Sequence, residues 1–220
     1  MIELAIRTQL GEKLSQSGLK EDPGFWTVKA PVFSDTKLKD VDHVLGPEMK
    51  STGEIIGLGM KFEEAMSKAL FLGKKSPFSL MQEEKIIFCS IADREKKNAL
   101  PLMKELVNKG FSIIATEGTA EFLKENNISV ETISKKDLDI TLKTEKFAAA
   151  IIIPTIGREK LRNGAIYRAL CTMNGIRTFT CLETAQQAIM LNDTIQQNYQ
   201  TIKDYTKNKK REVEYLCKVY

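Results

Sequence analysis

Apolar and polar positions change their rhythm part-way along the chain. Residues 85–91 (KIIFCSI) form a short apolar run that reads as a buried strand, and Leu100, Met103, Leu106 and Val107 then recur at helical spacing. Lys109-Gly110 closes that helix and 111–115 supplies a second strand. The alternation continues with a helix over 118–126, a strand over 129–133 and a fully apolar strand over 148–153. A helix over 166–173 ends at Gly175, a last strand covers 177–180, and a last core helix covers 183–191. Strands alternating with helices at this spacing predict an α/β fold, a parallel sheet with helices on both faces.

The first third is less regular. Leu4, Ala5, Leu10 and Leu14 recur at helical spacing and Gly18 follows as a stop. Residues 26–33 are β-rich, with Pro31 marking an edge or a strand end. A polar stretch leads to 51–54 and the short apolar run 55–58, and 62–72 reads as a helix with Phe62, Ala65, Met66 and Ala69 on one face. These elements bury too little surface to stand alone. Leu4, Ile6, Leu10, Phe25, Trp26 and Phe62 are therefore expected to form an apolar patch that self-associates or docks on a partner. Residues 73–84 (GKKSPFSLMQEE) carry Gly, Pro, Ser and paired charges and read as a linker. The expected division is 1–73, linker 74–84, regular domain 85–192 and tail 193–220. In the tail, Ile195, Tyr199, Ile202 and Tyr205 predict a surface helix carrying the basic cluster Lys207-Asn208-Lys209-Lys210-Arg211.

Composition narrows the function classes. With 42% apolar and 28% charged residues in 220, a packed core is affordable and wholesale disorder is excluded. A net charge of +4 is too small and dispersed to indicate nucleic acid, and no apolar run reaches the length of a membrane span. The four cysteines (Cys89, Cys171, Cys181, Cys217) form no CxxC pair, so no zinc site or disulfide framework is expected, and a cytoplasmic location follows. A single histidine, His43, leaves little room for histidine-based catalysis.

In an open parallel sheet, ligands bind beyond the carboxyl ends of the strands. Four such ends are polar here: Ser90 leading to Asp93-Arg94-Glu95-Lys96-Lys97, Thr116-Glu117-Gly118-Thr119, Ser134-Lys135-Lys136, and Thr155-Ile156-Gly157-Arg158. A Thr-x-Gly-Thr turn entering a helix offers two hydroxyls and free backbone N–H groups at a positive helix end, which suits a phosphate. The plainer reading is that a threonine there is only a helix cap. No Walker loop is present, and Gly57-Leu58-Gly59 lacks the third glycine of a dinucleotide fingerprint. Ser90, Thr116 and Cys89 have no histidine in their unit to act as base.

Two runs in the first third carry a family resemblance: Val28-Lys29-Ala30-Pro31-Val32-Phe33, and residues 44–54 (VLGPEMKSTGE) followed by Phe62-Glu63-Glu64-Ala65. They resemble the end of the second ATP-grasp half of the carbamoyl-phosphate synthase large chain. Residues 85–192 resemble its allosteric domain, a methylglyoxal-synthase-like fold, through Ser90, Gly110-Phe111, residues 115–120 (ATEGTA), Thr155 and Gly157-Arg158. The resemblance implies a regulatory module of pyrimidine and arginine synthesis that binds a nucleotide monophosphate, UMP or in some members IMP. The implied phosphate and ribose ligands are Ser90, Lys96, Thr116, Gly118, Thr119, Lys135 and Thr155. It also implies the remainder of the large chain and a glutaminase small chain as partners. ATP, magnesium and potassium are implied only for the complete enzyme, whose ATP- and metal-binding residues are expected upstream of this piece.

Departures from the family pattern shape the alternatives. Ile153-Pro154 stands where Asn-Thr is common, Arg168-Ala169 where an Arg-Arg pair is usual, and Ala30 and Thr178 replace residues of ornithine-responsive relatives. A methylglyoxal-synthase-type lyase needs a positioned base such as Asp. The family's Gly-Gly-Asp turn and histidine are both missing between Lys85 and Leu191, and Asp137 and Asp139 lie in a charged segment. A third reading keeps the sheet as an interaction module whose ligand site has decayed.

Overall fold

A computed structural model describes residues 2–14, 18, 23–33, 44, 49–71, 76–79, 81, 83–155, 163–191 and 200–207. The N-terminal unit comprises helix α1 (Ile2–Gln9), strands β1 (Trp26–Val32) and β2 (Gly53–Gly59), and helix α2 (Phe62–Phe71). The second unit runs β3 (Ile86–Ile91), α3 (Lys96–Asn108), β4 (Ser112–Thr116), α4 (Glu117–Glu125), β5 (Glu131–Ile133), α5 (Leu138–Thr144), β6 (Phe147–Ile153), α6 (Asn163–Met173), β7 (Thr178–Phe179) and α7 (Leu182–Met190). A short helix α8 (Ile202–Lys207) follows.

Strands β3 to β7 form one parallel sheet in the order β5-β4-β3-β6-β7. The chain builds outward from β3 on one side, then crosses to β6 on the other, so the strand order reverses at the β3/β6 boundary. The sheet lies between two apolar layers, as an α/β fold requires. Ile87, Cys89, Ile113, Ala115, Ile151 and Ile153 face one layer with α3, α4 and α7, whereas Phe88, Ile114, Ala150 and Ile152 face the other with α5 and α6. Every residue of β6 is buried, which is why its sequence reads as an unbroken apolar run instead of alternating. The phase is kept by an irregularity: Ile86 pairs with Phe147 but Ile87 with Ala149, so Ala148 is the extra residue of a bulge. Helix α3 ends at Gly110, whose φ of +82° lets the Phe111 N–H donate back to the Leu106 carbonyl at 3.0 Å before β4 begins.

Helix α5 is a finding, since its seven residues are dominated by charged and hydroxyl groups. Only Leu138 and Leu142, four apart, reach the core, and two positions do not make a legible helical pattern.

In the N-terminal unit β1 and β2 pair antiparallel from Trp26↔Gly59 to Val32↔Gly53, and α2 packs closely against β2. A Cβ on Gly57 would sit 2.0 Å from the Ala65 carbonyl oxygen, so only glycine permits this approach. Helix α1 buries no residue, and Ile2 (79% exposed) and Leu10 (78%) stand in the open. Phe25, Trp26 and Phe62 are half-buried instead, with Trp26 edge-on to Phe62 at 5.4 Å.

Two segments depart from their sequence-based expectation. Within the expected linker, Ser76, Pro77, Phe78 and Ser79 are buried. The Phe78 ring lies 5.3 Å from Phe179 and 6.1 Å from Phe111, and the Ser76 hydroxyl donates to the Ala188 carbonyl at 3.2 Å. The turn-forming neighbours of Phe78 conceal a core residue. The tail is likewise more than a surface helix. Tyr205 is 2% exposed and lies on the N-terminal unit, donating to the Leu58 carbonyl at 3.1 Å while Lys68 Nζ donates to its hydroxyl at 2.6 Å. Ile195, Tyr199 and the cluster of residues 208–211 lie outside the described residues, as do His43 and Cys217.

Candidate functional site at the carboxyl edge of the sheet

The carboxyl ends of β3, β4 and β5, together with the start of α6, enclose a cavity of about 300 Å³. Its lining includes Ser90, Thr116, Glu117, Gly118, Ser134, Lys135, Asn163 and Tyr167. This is the edge at which doubly wound sheets take their ligands.

The local chemistry follows from the turn between β4 and α4. Thr116 is extended (φ −61°, ψ 151°) at the cap position of α4, yet its side chain makes no cap hydrogen bond. The hydroxyl turns across the strand ends instead, 3.4 Å from Ser90 Oγ and 3.3 Å from Thr119 Oγ1. The first-turn N–H groups of a helix have no partners within it, and no side chain takes those of α4 at the cap. Thr119 is buried at 3% exposure, where its hydroxyl accepts the Ile91 N–H at 3.0 Å. It ties the end of β3 to α4 and so sets the spacing of the strand ends, without lining the cavity itself.

Of the residues expected as ligands, Ser90, Thr116, Gly118 and Lys135 line the cavity together. Lys96 is committed elsewhere: its ammonium donates to the Gly118 carbonyl at 2.6 Å and pairs with Asp93 at 2.6 Å. It braces the first turn of α4. Thr155 is exposed beyond β6 and is not among the lining residues. Gly157 and Arg158 lie outside the described residues.

Sequence reasoning did not single out Asn163, Tyr167 or Glu117. Asn163 and Tyr167 open α6, four residues apart and therefore on one helix face, but nothing local to α6 shows that it starts beside β5. Tyr167 is 6% exposed and packs edge-on against Phe88 at 6.0 Å. Burial, with the neighbouring Glu117 charge, pushes its phenol above the usual value, so the hydroxyl keeps its proton and remains a donor. The buried thiols of Cys89 and Cys171 are likewise pushed up by burial, Cys171 to about 12, and carry no thiolate at neutral pH. Among the described residues no group of three His, Cys, Asp or Glu side chains is placed to hold a metal ion, and no helix is long and apolar enough to cross a membrane.

Residues 98–180 match the family pattern of the MGS-like domain. This chain carries an MGS-like domain. It is also 36% identical over 198 residues to the carbamoyl phosphate synthase large chain of Clostridium botulinum strain Loch Maree, covering 86% of this chain and 18% of that protein. The large chain of strain Kyoto is 34% identical over 215 residues, 94% of this chain and 19% of that protein. The chain is homologous to a segment of the carbamoyl phosphate synthase large chain, and it spans less than a fifth of the length of these relatives. The MGS-like match falls on the parallel sheet from α3 to the end of β7, and the homology extends well beyond it into the N-terminal unit.

Proposed function

We propose that this chain is the nucleotide-binding regulatory portion of a glutamine-dependent carbamoyl phosphate synthase large chain, acting in pyrimidine and arginine synthesis. Its ligand is a nucleoside monophosphate, UMP or IMP, held at the carboxyl edge of the parallel sheet. Its partners are the remainder of the large chain and the glutaminase small chain. The observation that carries this reading is the uncapped first turn of α4, which borders a cavity that also holds Ser90, Thr116 and Lys135. Backbone amides at a positive helix end, two hydroxyls and a lysine are the donors that a phosphate requires.

A proton-abstracting lyase on the same fold would need a carboxylate base poised in the cavity. Asp137 is engaged by the Ser134 hydroxyl at 2.6 Å and Asp139 by Lys143 at 2.6 Å, and neither lines the cavity. The one carboxylate among the described lining residues, Glu117, has no hydrogen-bond or ion-pair partner to orient it as a base, which favours binding over catalysis.

The test is thermal unfolding of the full chain with UMP, IMP or inorganic phosphate. At a ligand concentration about 100 times Kd, linkage supplies roughly 2.7 kcal/mol, a rise in Tm on the order of 5–10 °C for a chain of this size. Lys135→Ala should remove most of the rise and leave the unliganded Tm unchanged, because Lys135 is exposed and bonds to nothing among the described residues. No rise with any of the three at millimolar concentration defeats the reading and favours a decayed site.

A further inference from the structure

The cavity wall is not purely a cradle for an anion. Among its described lining residues the one ammonium group, Lys135, is accompanied by one carboxylate, Glu117, at the first position of α4. Glu117 has no hydrogen-bond or ion-pair partner among the described residues. The phenol of Tyr167 lines the same space. A carboxylate beside an anion pocket disfavours binding in proportion to the ligand's charge, so it persists without cost only where the ligand carries few charges and brings its own donors.

We propose that Glu117, with Tyr167, selects for a ligand bearing a single phosphate and a donor-rich body: Glu117 accepts a hydrogen bond from a ligand hydroxyl and repels a second phosphate. This rests on the reading of the cavity as a phosphate site and names the residue that sets how many phosphates it admits. The geometry supports a division of labour. Ser90, Thr116 and the Gly118 end of the turn supply donors and Lys135 the positive charge, whereas Glu117 supplies acceptors that a phosphate cannot use. Tyr167 packs edge-on against Phe88, which sets where its hydroxyl sits. The Glu117 charge helps keep that phenol protonated, as a donor to the ligand requires. A cavity of about 300 Å³ sits at the small end of the range for ligand sites and suits a compact nucleotide.

The experiment compares binding of uridine mono- and diphosphate to the full chain by calorimetry, for the wild type, Glu117→Gln and Tyr167→Phe. The wild type should prefer the monophosphate. Glu117→Gln should narrow that preference by about tenfold, chiefly through tighter diphosphate binding, since the substitution keeps size and hydrogen bonding but removes the repelling charge. Tyr167→Phe, which retains the packing on Phe88, should weaken the monophosphate severalfold. If Glu117→Gln binds the monophosphate but keeps the wild-type preference, this inference is overturned and the phosphate site stands. If the wild type binds neither nucleotide, both fall together.

Discussion

The two units of this chain each lay helices on a sheet, but they close their cores differently. In the parallel unit β6 is buried at all seven positions because helices cover both faces. In the N-terminal unit burial alternates along β1 and no residue of that strand is fully buried. Its two strands have α2 against them, and α1 contributes nothing to any core. The parallel unit thus closes its core mainly with its own strands and helices, with Phe71 and Phe78 added from outside them, whereas the N-terminal unit relies more on closure from elsewhere in the chain. Tyr205 of α8 supplies part of it. Arg177 supplies more, with its guanidinium 5.4 Å from the Phe71 ring centroid and a hydrogen bond to the Leu70 carbonyl at 3.4 Å. A rigid sheet is also the better mount for a ligand site, because strand ends fixed by packing hold their hydroxyls and amides in place.

The sharpest way to break this contrast is to hollow each core in turn. Phe88 is fully buried between Phe147 and Tyr167, so Phe88→Ala should cost about 3–5 kcal/mol in denaturant unfolding. Trp26→Ala removes a larger but half-buried ring, and should cost about 1–2 kcal/mol. Equal losses would mean that the two cores are equally closed.

Glycine substitutions probe the same difference at backbone level. Gly57→Ala drives a methyl group into the Ala65 carbonyl of α2 and should destabilise by about 1–3 kcal/mol or more. Gly118→Ala meets nothing nearer than Lys96 Nζ at 3.6 Å, so unfolding should shift by less than about 0.5 kcal/mol. The two melting curves, measured side by side, separate a close-packed backbone contact from an open cavity wall.

A modest effect is expected at the joint between tail and N-terminal unit. Tyr205→Phe leaves Lys68 with Glu64 and the Leu58 carbonyl, and should cost about 1 kcal/mol. Burial by itself would lower the Lys68 pKa, but hydrogen bonds and charge from Glu64 and Tyr205 outweigh it and hold the ammonium above its ordinary 10.5. A pKa raised by folding gives stability that is fully present below 10.5 and is lost as pH rises through the higher folded value. The Lys68 contribution to the wild-type Tm should therefore be present in full and constant around neutral pH, and should be lost only in the alkaline range. Tyr205→Phe should lose less there. A variant with the wild-type alkaline slope would show that the Tyr205 bond does not hold the charge.

Much of this was legible from residue spacing. The apolar run of β6, the helical spacing of apolar residues in α3, and the glycine after α3 marked a parallel α/β unit and the polar strand ends that border its cavity. The role of Thr119 was not legible. A threonine three residues into a Thr-x-Gly-Thr turn reads as a ligand or a cap, and its bond to the Ile91 amide, 28 residues away, is set by where two strands end. The bond of Lys96 to the Gly118 carbonyl was not legible for the same reason, since it depends on how α3 lies beside α4.

By itself, then, the sequence determined the order and type of most elements, the parallel class of the main sheet and the polar character of its carboxyl edge. These follow from local periodicity and turn chemistry, which a chain carries before it folds. Tertiary structure alone decided that Phe78 belongs to the core, that Tyr205 reaches Lys68 across 137 residues, and that Asn163 and Tyr167 join Ser90 and Lys135 around one cavity. Each of these depends on which distant segments meet, and a buried hydrogen bond or ring contact between such segments leaves no periodic trace in either of them.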